Sequence, residues 1–111
     1  MLRRIGFCVL ALSLLSSHAD AEEAKVAVQL NGVGALTCAH WRSTAASRAE
    51  GTVWIFGFWS GLNYVAAASE QVQATSNERE VIAAVLKECA TNSSQVLASA
   101  VWEAHIDLSG K

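Results

Sequence analysis

Cys38 and Cys89 stand 51 residues apart, and whatever lies between them must fold so that two sulfurs meet if the chain enters an oxidising compartment. The first residues predict that it does. Met1-Leu2-Arg3-Arg4 is a short positive segment, residues 5–15 are an uncharged, mostly apolar run, and Ala19-Asp20-Ala21 supplies the small-residue pattern cut by signal peptidase. Eleven apolar residues are too few for a bilayer span, which needs about 20. Cys8 sits inside the run instead of at the cleavage point, which argues against a lipid anchor, and the Arg3-Arg4 pair lacks the flanks of a twin-arginine signal. Residues 1–21 are therefore expected to be a secretory signal that takes the third cysteine with it. The remaining even pair reads as a disulfide, and closing a loop of this length stabilises a small domain by about 4 kcal/mol in the chain-entropy model.

Residues 22–111 carry six Lys/Arg against nine Asp/Glu, a net charge of -3 without any basic run, which excludes a nucleic-acid binder. With 52% hydrophobic and 16% charged residues, the chain has the composition of a folded domain and not of a disordered one. One domain is expected, over residues 37–111, preceded by an extended arm over 22–36. In that arm Val26, Val28 and Leu30 alternate with Ala27 and Gln29 like one face of a strand before Asn31-Gly32 and Gly34 break it.

From Leu36 onward the pattern predicts an all-α, four-helix orthogonal bundle. Thr37 caps a helix to about Ala46, with Leu36 stapled to Trp41, and Ser47-Arg48-Ala49-Glu50 reads as a capping box opening a second helix to about Ser69. In that helix Ile55, Phe58, Trp59, Leu62, Val65 and Ala66 fall on one stripe, while Val53, Phe56 and Tyr64 lie opposite, beside Ser60 and Asn63. A helix apolar nearly all round is central to a bundle or sits at an interface. Gly57 and Gly61, one turn apart, are expected to let another helix approach closely. The 19 residues from Gly51 to Ser69 carry no charge, but a membrane span there would place the two cysteines on opposite sides of the bilayer. Asn77-Glu78-Arg79-Glu80 opens a third helix to about Ala90 with Val81, Ile82, Val85, Leu86 and Cys89 inward. Ser93 or Ser94 is expected to cap a fourth, to about His105, with Val96, Leu97, Ala100, Val101 and Ala104 inward.

Catalytic and metal chemistry finds no support in the pattern. Cys38 and His40 are two apart on a helix and point about 200° from each other. His40 and His105 read as two partly exposed helix residues, and no zinc-ligand spacing exists. Glu78 and Glu80 suit a helix N-terminus, and Glu88 a solvated face. Asn92-Ser93-Ser94 matches a glycosylation sequon. The chain reads as a non-enzyme without metal or cofactor. Four tryptophans remain to be placed: Trp54 and Trp59 as core, Trp41 in the staple with Leu36, and Trp102, outside its helix's inward stripe, either packed from another side or exposed. Exposed with Phe56 and Tyr64, Trp102 would form a protein-binding patch.

A signal peptide, then Thr37-Cys38-x-x-Trp41, then Trp54-x-x-Gly57-Phe58, then Cys89 resembles the HdeA/HdeB group of small, periplasmic, all-helical, single-disulfide proteins. That resemblance implies a periplasmic acid-stress chaperone, a homodimer at neutral pH that separates in acid and holds unfolded clients on apolar surface. The group often has Asn-Pro after its second cysteine, where this chain has Asn92-Ser93, and is richer in charge. The Trp54–Gly61 stretch is also similar to the central helix of the Rap/Tai-type immunity proteins, which neutralise peptidoglycan-cleaving effectors and usually carry more cysteines.

Overall fold

The computed structural model describes residues 28–111; the expected signal sequence and residues 22–27 of the arm lie outside them. Within this range the protein is all-α. A 3-10 turn, Gly32–Ala35, leads into α1 (Cys38–Ser43), α2 (Ala45–Ala68), α3 (Glu78–Thr91) and α4 (Leu97–Leu108).

Each helix starts where its first N–H groups find an acceptor. At α1, Thr37 Oγ1 accepts from the His40 N–H at 3.1 Å. The two preceding amides are satisfied from far along the chain: Cys38 N–H donates to the Gln95 carbonyl and Ala39 N–H to the Ser93 carbonyl, both at 2.9 Å. The turn after α3 thus caps α1 and carries Cys38 to Cys89. Their Cα atoms are 5.5 Å apart and the two are disulfide-bonded, both fully buried.

Two helix boundaries differ from expectation. The first helix ends at Ser43 and the second begins at Ala45, because Thr44 adopts extended backbone and its Oγ1 accepts from Ser47 N–H at 3.0 Å. The cap is Thr44 and not Ser47. The break is required by Trp41, whose indole N–H donates to the Arg48 carbonyl at 3.2 Å; residues seven apart on one continuous helix would be about 10 Å apart. Likewise, neither Ser93 nor Ser94 caps α4. Asn92 Oδ1 engages both Ser94 N–H and Ser94 Oγ in a local turn. The helix starts at Leu97 without a side-chain cap, its N–H donating to the Leu36 carbonyl at 2.8 Å. Beside that bond Thr37 and Val96 form an isolated antiparallel bridge. Leu36 is therefore held by its backbone, and its side chain is 44% exposed. At α3 the Asn77/Glu80 capping box forms as expected.

The core gathers Trp41, Ile55, Trp59, Val81, Val85, Leu97, Ala100, Val101 and Ala104 around the disulfide. α2 runs through the middle. Its inward line is Gly51, Ile55, Trp59 and Ala66; Val65 is 62% exposed and leaves the expected stripe. Trp54 is half-buried, stacked obliquely on Phe58 with centroids 5.0 Å apart, and the 3-10 turn lies so close that a Cβ on Gly34 would fall inside the Trp54 ring. Gly57 and Gly61 do not serve the close helix approach expected of them within this chain: a Cβ at either would meet nothing within 4 Å, since both point away from the inward line. No helix among the described residues is long and apolar enough to cross a membrane.

Candidate partner-binding face

Two helices supply an open apolar seam. Phe58, Leu62 and Val65 follow one another along α2, and Ala98, Trp102 and Ile106 along α4, at spacings of three or four residues that keep each set on one edge. Trp102 divides the seam. On one side a groove of about 390 Å³ is lined by Val28, Leu30, Phe58 and Ala98; on the other, one of about 260 Å³ is lined by Leu62, Val65, Val72 and Ile106, with Ala66 and His105. Trp102 and Ile106 are each 48% exposed and Val72 is 64% exposed. Among the described residues, Glu103 is the one charged residue bordering either groove. Large aromatic and aliphatic groups left open beside a closed core are what protein-binding sites are made of.

Of the three residues expected to form a patch, only Trp102 lies on this face. Phe56 is two residues from Phe58 and so about 200° round the helix; it borders a separate pocket with Trp59, Ser60 and Asn63. Tyr64 is 78% exposed and lines none of these grooves. The three do not converge. Phe58 and Val65, which the periodicity assigns to the core, supply the α2 side of the seam instead.

Beneath the second groove lies a polar cluster that the periodicity does not announce. His105 is 6% exposed, a correction to its expected place at the surface. Its Nε2 is 2.9 Å from Asn63 Oδ1, and its ring meets Trp59 edge-on with centroids 4.9 Å apart. Asn63 also lies inward, half-buried, where the sequence pattern sets it on the outer side of α2. Its amide grips both backbone groups of Ala74: Nδ2 donates to the Ala74 carbonyl at 2.8 Å, and Oδ1 accepts from the Ala74 N–H at 3.0 Å. Trp59 Nε1 donates to the same carbonyl at 3.1 Å. Because Oδ1 is an acceptor throughout, Nε2 of His105 carries a hydrogen and donates to it. Burial pushes its pKa below that of a free histidine. The signal for His105 was present in its spacing of four and eight residues from Val101 and Leu97, the inward line of α4.

Charge is concentrated elsewhere. Glu80, Lys87, Glu88, Asp107 and Lys111 border a third groove between α3 and α4. The Glu88 carboxyl is raised above its ordinary pKa by desolvation first, then by a hydrogen bond with Asp107 and repulsion from Asp107 and Glu103, against a lowering by Lys87.

Cys38 and Cys89 are joined in the core, and among the described residues no three His, Cys, Asp or Glu side chains gather closely enough to hold a metal. The chain matches no protein-family model, and no curated protein or solved structure is significantly similar to it.

Proposed function

We propose that this is an exported, non-enzymatic protein-binding protein that holds unfolded clients on the Trp102 face under acid stress. The observation that supports this is the seam itself: Trp102, Ile106, Val65 and Val72 are about half exposed or more while the disulfide-stapled core behind them is closed. A staple of this kind keeps a small domain together where acid would otherwise unfold it. Near pH 2 the exported chain would carry about +9, with its carboxylates neutral and its six Lys/Arg, two His and amino terminus charged. That self-repulsion favours separation of a homodimer and keeps client complexes soluble. The test is suppression of client aggregation at about pH 2 to 3, with Trp102→Ala and Ile106→Ser as the variants. Protection by the wild type and its loss in both variants supports the reading. No protection at any ratio of protein to client overturns it.

A second reading, a periplasmic immunity protein that neutralises a peptidoglycan-cleaving effector, is favoured by one feature. The face is open in the folded chain, so a folded partner could dock without any acid step. An adjacent toxin gene, and self-intoxication on deletion, would support this reading over the first. A deletion strain that shows no self-intoxication among competing cells would count against it.

A further inference from the structure

We infer that His105 and Asn63 form a proton-operated latch, which holds the segment between α2 and α3 against the bundle and lets it go when His105 takes up a proton. This deepens the acid-responsive reading of the same face, and its test uses no client, so the two can fail separately.

The geometry supplies each part. The segment Ser69–Asn77 is anchored at Ala74, which is 1% exposed and whose N–H and carbonyl are both held by the Asn63 amide. Asn63 in turn receives the Nε2 proton of His105. The same segment carries Val72, which walls the groove next to Trp102. The latch therefore sits directly under the apolar face, and its release widens that face.

A second proton can go only to Nδ1, because Nε2 already carries one. Nδ1 faces Ser109 Oγ at 3.5 Å, too far for a good acceptor, and that hydroxyl spends its own hydrogen on the His105 carbonyl at 2.6 Å. Among the described residues no charged group borders the groove beside the ring, and Glu78 of α3 lies at a separate pocket with Phe56, Trp59 and Asn63. α2 offers Trp59, Asn63 and Ala66 around the ring, and the segment offers Val72 and Ala74. On α4 itself, Glu103 and Asp107 stand two residues to either side, about 200° round the helix, and border other grooves. From α3, Lys87 and Glu88 gather at the Asp107 groove. A buried imidazolium that faces only the neutral Asn63 oxygen, with no counter-charge to offset its lost hydration, is expelled toward water, here through the groove that His105 borders. Asn63 then loses its donor, and Ala74 the support of its clamp. The direction in which burial moves the His105 pKa agrees.

The experiment is NMR on the full exported chain, following ring protons of His105 and His40 together with hydrogen exchange at Ala74 and Val85. Expected is a loss of Ala74 protection of about tenfold or more as pH falls from about 7 to about 5, with the midpoint tracking His105 and not the exposed His40, while the core amide of Val85 stays protected. His105→Gln keeps a neutral donor for Asn63, so its Ala74 protection should not change over this range. Unchanged Ala74 protection in the wild type, loosening that tracks His40, or equal loosening in His105→Gln would each overturn the latch. If that variant fails to fold, the wild-type comparison of the Ala74 and His105 midpoints decides alone.

Discussion

Trp41 packs its indole edge against Gly51: a Cβ placed on that glycine would overlap the indole Cδ1, and the ring is held there by its N–H bond to the Arg48 carbonyl. Gly51 is the first turn of α2 to enter the core, and Trp41 closes the corner between α1 and α2. Replacing Gly51 by alanine improves helix propensity by about 1 kcal/mol but forces the ring from its place, at a cost of about 1 to 3 kcal/mol for overpacking. The clash wins. Gly51→Ala should lower the urea midpoint, whereas Gly57→Ala and Gly61→Ala, where an added Cβ meets nothing within 4 Å, should raise it. Equilibrium unfolding of the three variants distinguishes the sites.

The disulfide joins α1 to α3 across the whole of α2. Cys89→Ser should cost about 2 to 5 kcal/mol, the usual loss when a native disulfide is removed from a small domain. Two free thiols per wild-type chain, counted by alkylation under denaturing, non-reducing conditions, would show the bond absent and remove the expected export with it.

The cap of α2 gives a sharp contrast between neighbours. Thr44→Ala should destabilise by about 0.5 to 2 kcal/mol because the Ser47 N–H loses its acceptor. Ser47→Ala leaves that N–H bond in place and should cost less. Thermal unfolding of both variants would show the order, and the reverse order would place the cap at Ser47.

Stability should depend on pH with opposite signs at two sites. His105 is depressed, so its contribution is complete above the pKa of a free histidine, about 6.5. It declines as pH falls from there through the folded value, by at most about 1.4 kcal/mol per pH unit for one proton. Glu88 is raised, so its ionised form burdens the fold at neutral pH, and the burden lifts as pH falls through its folded value toward that of a free glutamate. The His105 contribution should therefore lower the urea midpoint as pH falls below about 6.5. His105→Gln should remove that drop, and Glu88→Gln should raise the midpoint at neutral pH.

What could be read from the chain alone was whatever is settled within a helical turn or two. The Asn77/Glu80 box closes over three residues, so the start of α3 is written locally. Spacing marks Val81, Val85 and Cys89 of α3 and Leu97, Ala100, Val101 and Ala104 of α4 as inward, though Leu86, expected among them, is exposed; the pairing of Cys38 with Cys89 follows if the expected signal removes Cys8. Trp102 stood out because it leaves its stripe.

The tertiary structure decided everything satisfied at a distance. The first amide of α4 takes its acceptor from Leu36, in the segment before α1, so no serine before that helix could reveal where it starts. α2 is apolar on nearly every side, and its periodicity could not say which side faces in; Phe58 and Val65 turn out to line the open seam, and Asn63 turns inward. His105 and Asn63 are 42 residues apart, and neither is legible as a partner until two helices cross. A hydrogen bond within a turn leaves a pattern in the sequence because its spacing is fixed by helix geometry. One between separate elements leaves none, because only the packing of the rest of the chain sets its distance.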